Sequence, residues 1–107
     1  MPSRDRGVDE TIRAAIAGRR LVAFELHGYA RIAEPHDYGV IKGVPTLFFY
    51  QVGGASSSGK PVGWRRAVIA EISDLRMLDR AFAGPRLTST GRHLKWDQLL
   101  ATVSPRS

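Results

Sequence analysis

The feature that most constrains the fold is a pair of apolar segments separated by residues that are nearly all Gly, Ser and Pro. The first segment runs from Leu47 to Val52 and the second from Trp64 to Ile69. Aromatic and β-branched residues fill both segments, which favours β-strands, while residues 53–63 favour a flexible connection. The pattern therefore predicts a long hairpin at the centre of a β-rich core.

The totals limit the class of protein. A length of 107 residues with 43% hydrophobic residues predicts a single globular domain. The absence of cysteine excludes a disulfide scaffold, thiolate metal sites and a cysteine nucleophile. No segment resembles a signal peptide or is long and apolar enough to span a bilayer, so we expect a cytoplasmic protein without a membrane partner.

The charge favours an anionic partner without identifying it. Sixteen basic residues against ten acidic ones give a net charge of +6, and basic groups attract phosphates. The excess is scattered along the chain instead of forming one dense run. Charge alone therefore does not mark a nucleic-acid-binding protein.

The N-terminal third predicts one helix and one hairpin. Residues 1–7 are polar and expected to be disordered, and residues 8–18 have apolar positions at helical spacing. Leu21–Leu26 and Tyr29–Glu34 alternate as two strands around a His-Gly turn. Pro35 is expected to end the second strand, because it has no N–H to donate to the ladder.

The C-terminal third predicts a strand, a loop and a helix. Leu75–Asp79 reads as a short strand, residues 83–95 as a loop, and Trp96–Val103 as a short terminal helix with apolar residues at helical spacing. We assign residues 8–82 to the core domain and residues 83–107 to a loop, a helix and a partly flexible tail. Five or six short antiparallel strands favour a small, partly open β-barrel, since closure removes exposed edges; an α+β sandwich is the alternative.

One motif resembles a phosphate-binding loop. Gly54–Lys60 fits the pattern G-x-x-x-x-G-K after a strand. That mechanism requires Ser or Thr next and a helix whose N-terminus faces the phosphates, whereas Pro61 follows here. The motif is therefore interpreted as a hairpin connection.

Candidate catalytic and metal-binding residues are sparse. The three histidines, His27, His36 and His93, are far apart in sequence, whereas a metal site needs several convergent ligands. His36 lies among acidic residues in the polar stretch Glu34–Gly39, which reads either as a pocket rim or as a turn held by side-chain hydrogen bonds. No nucleophile accompanies it, so we predict no catalytic residue, no metal site and no cofactor.

Two adjacent arginines in the second central strand must point in opposite directions. Neighbouring residues of a strand face opposite sides of the sheet, so either Arg65 or Arg66 projects towards the interior. A buried guanidinium requires a carboxylate or a bound anion. Glu25 or Glu34 would be a structural partner, and a ligand anion would be a functional one.

The order and spacing of several short motifs resemble the WYL domain family between about Val8 and Phe82. The residues that carry this resemblance are Ile12-x-x-Ala15-Ile16, Arg19-Arg20, Val22-x-Phe24, Arg31-Ile32-x-Glu34-Pro35, Tyr50-Gln51, Arg65 and Glu71-Ile72-x-x-Leu75. The similarity is strongest to short stand-alone members. It implies a small Sm-like five-stranded antiparallel β-barrel with an N-terminal helix.

The resemblance also implies a function. WYL domains are mostly bacterial regulatory modules that sense nucleotide or nucleic-acid ligands through basic and aromatic residues, often fused to a winged-helix DNA-binding domain. By this resemblance the family's basic positions fall on Arg31 and Arg65. The residues predicted to bind the ligand are Arg31, His36, Tyr50, Trp64 and Arg65.

Two departures from the family limit what the resemblance implies. The tripeptide that names the family would fall at Pro45-Thr46-Leu47 and keeps only its Leu, and a position usually held by Arg is Glu71. No DNA-binding domain is expected in this sequence. The leading hypothesis is a non-enzymatic regulatory module that binds an anionic ligand, such as a nucleotide or short single-stranded nucleic acid. The alternative is a protein-interaction module that pairs with itself or a regulatory protein through an exposed strand edge or the terminal helix.

Overall fold

One α-helix and a six-stranded antiparallel sheet form most of the fold in the part of the chain that the structure describes. The computed structural model describes residues 2–54, 62–86 and 96–103, with side chains described from Gly7 onwards. A short 3-10 helix, Ile69–Glu71, joins the fourth and fifth strands. The main elements are α1 (Pro2–Gly18), β1 (Arg20–Leu26), β2 (Tyr29–Ile41), β3 (Val44–Gly54), β4 (Gly63–Val68), β5 (Ile72–Ala81) and β6 (Gln98–Thr102).

The strands follow one hydrogen-bonded path, in the order β4-β3-β2-β1-β5, with β6 paired to β2 off that path. All pairings are antiparallel. The mainly β fold and the N-terminal helix are therefore confirmed. Within the described residues no ladder joins β4 to β5, so the sheet is not closed into a barrel.

The second strand is longer than predicted, since β2 continues past Pro35 to Ile41. The prediction that Pro35 ends the ladder is wrong. The register of β2 against β3 shifts between Pro35 and Asp37, which places a bulge at His36. A bulge is one of the places where a strand accommodates proline. Beyond it β2 changes its second neighbour, from β1 up to Ala33 to β6 from Asp37.

The predicted C-terminal helix is also wrong, because Gln98–Thr102 forms strand β6. The second half of β2 extends beyond β1 and leaves an open edge, and β6 pairs with it from Asp37 to Val40. The Thr102 hydroxyl donates to the Asp37 carboxylate at 2.5 Å, and the Val103 N–H donates to the His36 carbonyl at 2.8 Å. Pairing with a distant strand thus outweighs the local helical spacing.

The helix packs against β1, β2, β5 and β6 through one apolar side. Ile12, Ala15 and Ile16 are buried in the core with side chains from the sheet. α1 begins at Pro2, well before the predicted start at Val8. The Tyr38 hydroxyl donates to Asp9 at 2.7 Å, which ties the helix to β2.

Some sequence predictions fall on residues outside the described ranges. These are most of the Gly54–Lys60 motif, most of the loop over residues 83–95 including His93, and the tail from residue 104.

Candidate anion-binding site

The predicted ligand-binding residues lie on two different faces of the sheet. Across β3 and β4, Tyr50 pairs with Trp64 and Phe49 pairs with Arg65. Directly opposed residues share a face and successive residues alternate, so Trp64 and Arg65 face opposite sides. We call the side of Phe49 and Arg65 the inner face and the side of Tyr50 and Trp64 the aromatic face.

Arg31 belongs to the inner face and is buried. It pairs with Phe24 across β1 and β2, and the Phe24 ring packs edge-on against Phe49 with centroids 5.2 Å apart. Only 4% of Arg31 is exposed. Its Nη1 donates to the side-chain oxygen of Gln51 at 3.3 Å and its Nη2 to the Leu26 carbonyl at 3.2 Å. Both acceptors are neutral.

The guanidinium of Arg31 therefore carries a positive charge without a carboxylate partner among the described residues. Its Nε also has no hydrogen-bond partner there. Burial lowers the pKa of Arg31 below its ordinary value, and the nearby charge of Arg65 lowers it further. Two like charges that lack full hydration favour an anion between or beside them.

Arg31 is among the residues that line a cavity of about 370 Å³, which we call the Arg31 cavity, but its side chain points to the opposite side of β1 and β2 from Glu25 and Ile32. Ile32 lines it with apolar atoms, and Arg76 from β5 adds a guanidinium to its wall. The carboxylates of Glu25 and Asp74 also line it. The cavity therefore combines one cation, an apolar side and hydrogen-bond acceptors, a mixture typical of sites for small polar ligands.

Tyr50 and Trp64 form part of a packed aromatic cluster on the other face. The Trp64 ring stacks on Phe48 with centroids 4.8 Å apart and meets Tyr50 edge-on at 5.3 Å. Both residues are half-buried. Their rings already contact other protein groups, and the thickness of the sheet separates them from Arg31.

His36 is fully buried beneath this cluster, with 0% of its surface exposed. Its Nδ1–H donates to the Glu34 carbonyl at 2.9 Å, and its Nε2 accepts from the Arg86 N–H at 3.0 Å. This pattern corresponds to a neutral imidazole with the proton on Nδ1. The ring also stacks near Phe82 and meets Trp64 edge-on. His36 thus joins β2 to the segment after β5.

Arg86 is a residue of this region that the sequence analysis did not identify. Its Nε and Nη2 donate to the two carboxylate oxygens of Glu34 at 2.6 and 3.0 Å, and its guanidinium lies 4.1 Å from the centre of the Tyr50 ring. The bonds to Glu34 raise the pKa of Arg86 above its ordinary value. Glu34 therefore has a structural partner, which is neither Arg65 nor Arg66.

Gln51 carries part of the resemblance but was not among the residues predicted to bind the ligand. It is fully buried, accepts from Arg31 and donates to the Gly53 carbonyl at 3.0 Å. These bonds fix the side of the guanidinium that faces the core. A polar residue at an inner-face position of a central strand was the available signal.

Comparisons with known proteins give no family for this chain. A scan against models of protein families finds no match, and searches of curated proteins and of solved structures find none either. Within the described residues, no three His, Asp or Glu side chains lie together as a possible metal site. No helix there is long and apolar enough to cross a membrane.

Proposed function

We propose that this protein is a non-enzymatic, WYL-like regulatory module that binds an anionic ligand, a nucleotide or a short single-stranded nucleic acid, at Arg31. The observation that carries the proposal is the buried Arg31 guanidinium, which is repelled by Arg65 and has no carboxylate partner in the described part of the chain. A phosphate beside Arg31 would compensate this charge.

The Arg31 cavity, on the other side of β1 and β2, offers a second surface for a nucleotide to contact. Ile32 offers an apolar side to a base, and Glu25 and Asp74 offer acceptors to ribose hydroxyls or exocyclic amines. Arg76 is exposed at the wall and offers a second phosphate contact. Arg65 contributes its charge to the inner face, near Arg31.

The strand order supports the Sm-like part of the proposal. The path β4-β3-β2-β1-β5, with a 3-10 helix between β4 and β5, places the two end strands consecutively in sequence. A sheet with this strand order needs only these two edges to approach for a barrel to close.

Binding is tested by fluorescence anisotropy with a labelled short oligo-dT and by competition with a mononucleotide. We expect affinity that falls with rising salt, with a slope of about −0.7 per phosphate contacted on a log–log plot. Arg31→Gln should weaken binding roughly ten- to hundredfold, because a hydrogen bond to a charged group contributes about 1.5–3 kcal/mol. Arg80→Gln removes the same charge from an exposed position on β5 and serves as the matched control.

Two outcomes would contradict this proposal. One is the absence of binding at low salt, and the other is an equal loss in Arg31→Gln and Arg80→Gln, which would indicate only non-specific attraction. Urea unfolding of both variants shows whether a loss of binding reflects a loss of fold.

A second candidate function rests on the outer edge of β5. This strand pairs only with β1 in the described structure, and its Met77 is 43% exposed. Unpaired strand edges bind further strands. If β5 is an interface, the mass measured by light scattering should rise with protein concentration. Met77→Lys should lower the association while Arg65→Gln leaves it unchanged; a monomer at all concentrations would dismiss this candidate.

A further inference from the structure

A second cavity, of about 340 Å³, lies where the β1–β2 turn, the β2–β3 turn and the 3-10 helix come together. It shares no lining residue with the Arg31 cavity. Its volume is at the lower end of the range of about 300–1,000 Å³ usual for small-molecule sites. The space therefore suits a small ligand.

Two cations line this cavity. Lys42 comes from the β2–β3 turn and Arg66 from β4, and both are exposed. No carboxylate lies within ion-pair distance of either side chain among the described residues. Glu71, on another wall, is paired with His27 at 2.8 Å, and Asp97 accepts from the backbone N–H of Lys42. The two cations are thus available to an anion from solution.

The remaining wall is apolar. Ile41, Val44 and Val68 line the cavity, and Val44 is 39% exposed. An exposed valine beside two cations matches a ligand in which a hydrocarbon part follows a charged group. Burial of that part against the valines would contribute to binding in proportion to the apolar area removed from water.

The two turns carry unusual residues for their backbone. His27 and Lys42 have φ values of 53° and 51°, and each is followed by Gly in a two-residue hairpin turn. Asn, Asp or Gly normally occupies such a position, because other side chains crowd the backbone there. His is among the residues enriched at positive φ, so turn geometry leaves only Lys42 unexplained, and Lys42 lines the cavity. A role in the cavity accounts for it.

We propose that this cavity binds a small monocarboxylate with a short hydrocarbon chain. Lys42 and Arg66 hold the carboxylate, and Ile41, Val44 and Val68 cover the chain. The ligand carries one negative charge, because the Glu71 carboxylate, which also lines the cavity, repels a second. Two hydrogen bonds hold the turn in place before binding: the Lys42 N–H donates to the Asp97 carboxylate, and the Asp97 N–H donates to the Val40 carbonyl at 2.9 Å. The proposal is independent of the Arg31 cavity.

The test is a titration of the full chain with hexanoate, followed by backbone amide chemical shifts, and a parallel titration with hexanamide. We expect saturable shifts centred on Lys42–Val44 and Val68. Hexanamide has the same chain without the charge and should bind roughly ten- to hundredfold more weakly. Equal affinities for the two probes, or shifts centred on Arg31, would overturn the proposal.

A pair of variants separates binding from stability. Lys42→Asn removes the cation but places a residue that tolerates positive φ at the turn, so its thermal midpoint should equal or exceed that of the original chain. Its affinity for hexanoate should fall roughly ten- to hundredfold. Arg80→Gln, which lowers the net charge equally from β5, should bind as the original chain does. Unchanged affinity in Lys42→Asn would refute the role of Lys42.

Discussion

Phe49→Ala is expected to lower the free energy of unfolding by about 3–5 kcal/mol, the usual cost of truncating a fully buried aromatic ring. Phe49 has no exposed surface and lies on β3, a central strand between β2 and β4. Its ring fills the space between the two halves of the sheet and meets Phe24 edge-on. Alanine would leave a cavity that the surrounding strands cannot fill without breaking their pairing.

Urea unfolding followed by tryptophan fluorescence measures this loss as a lower midpoint with an unchanged slope. Val44→Ala is the matched control, since Val44 lies on the same strand but is 39% exposed. We expect its effect to stay within about 0.5 kcal/mol. A cost below about 1 kcal/mol for Phe49→Ala would show that the inner face is not the core of the protein.

Glu34→Gln is expected to lower the free energy of unfolding by about 1.5–3 kcal/mol, the range for hydrogen bonds to charged groups. The Glu34 side chain is only 8% exposed and receives two hydrogen bonds from Arg86. Glutamine keeps the shape of the side chain but removes its charge and one acceptor. Because the Arg86 side chain is 46% exposed, water screens part of the attraction and the lower part of the range is expected.

A double-mutant cycle with Arg86→Gln isolates this interaction from other effects of each substitution. We expect the double variant to be less destabilised than the sum of the two single variants. Asp79→Asn is the control, because the Asp79 carboxylate, which pairs with Arg20 at 2.7 Å, is fully exposed to solvent. This substitution should not shift the unfolding midpoint. Strict additivity at Glu34 and Arg86 would mean that the pair does not hold the segment after β5 on the sheet.

The parts of the fold that follow from local patterns were predicted correctly. The β1–β2 hairpin has alternating strands on both sides of a two-residue turn that ends in Gly28, and these signals lie within a few residues of one another. The two strands of the central hairpin were likewise predicted from their composition, since aromatic and β-branched residues fill both. In each case the physical cause is short in range, since alternation places one apolar side chain in two on the same face.

The errors arise where distant parts of the chain meet. The local spacing of apolar residues favours a helix over residues 96–103. Instead, this segment forms β6, which pairs with the open edge of β2 near Gly39. An added Cβ on Gly39 would lie 2.3 Å from the Gln98 carbonyl oxygen, so β6 can approach β2 this closely only because residue 39 is glycine. From the local sequence alone, that glycine predicts only a loop or turn. The prediction that Pro35 ends β2 was wrong for the same reason, because whether a proline ends a strand depends on which strands lie beside it.

The candidate site shows the same division. Sequence reasoning selected Arg31 and Arg65 from the resemblance and foresaw that one of Arg65 and Arg66 faces inwards. It did not foresee that Tyr50 and Trp64 lie on the other face from Arg31, which depends on the register of β3 against β2 and β4. Their predicted roles in binding stay predictions.

The sequence by itself determined the β-rich class, the N-terminal helix and the central hairpin, because periodicity, turn residues and side-chain volume act over a few residues. Only the tertiary structure decided which strands are neighbours, that the C-terminal segment is a strand, and that Glu34 pairs with Arg86 across 52 residues of sequence. Those outcomes depend on which strand edges, hydrogen-bond acceptors and charged side chains still lack partners after the individual helices and strands have formed. The central hairpin shows both causes. Local composition predicted its two strands, whereas only the tertiary structure shows that Arg65 lies on the inner face and Trp64 on the aromatic face.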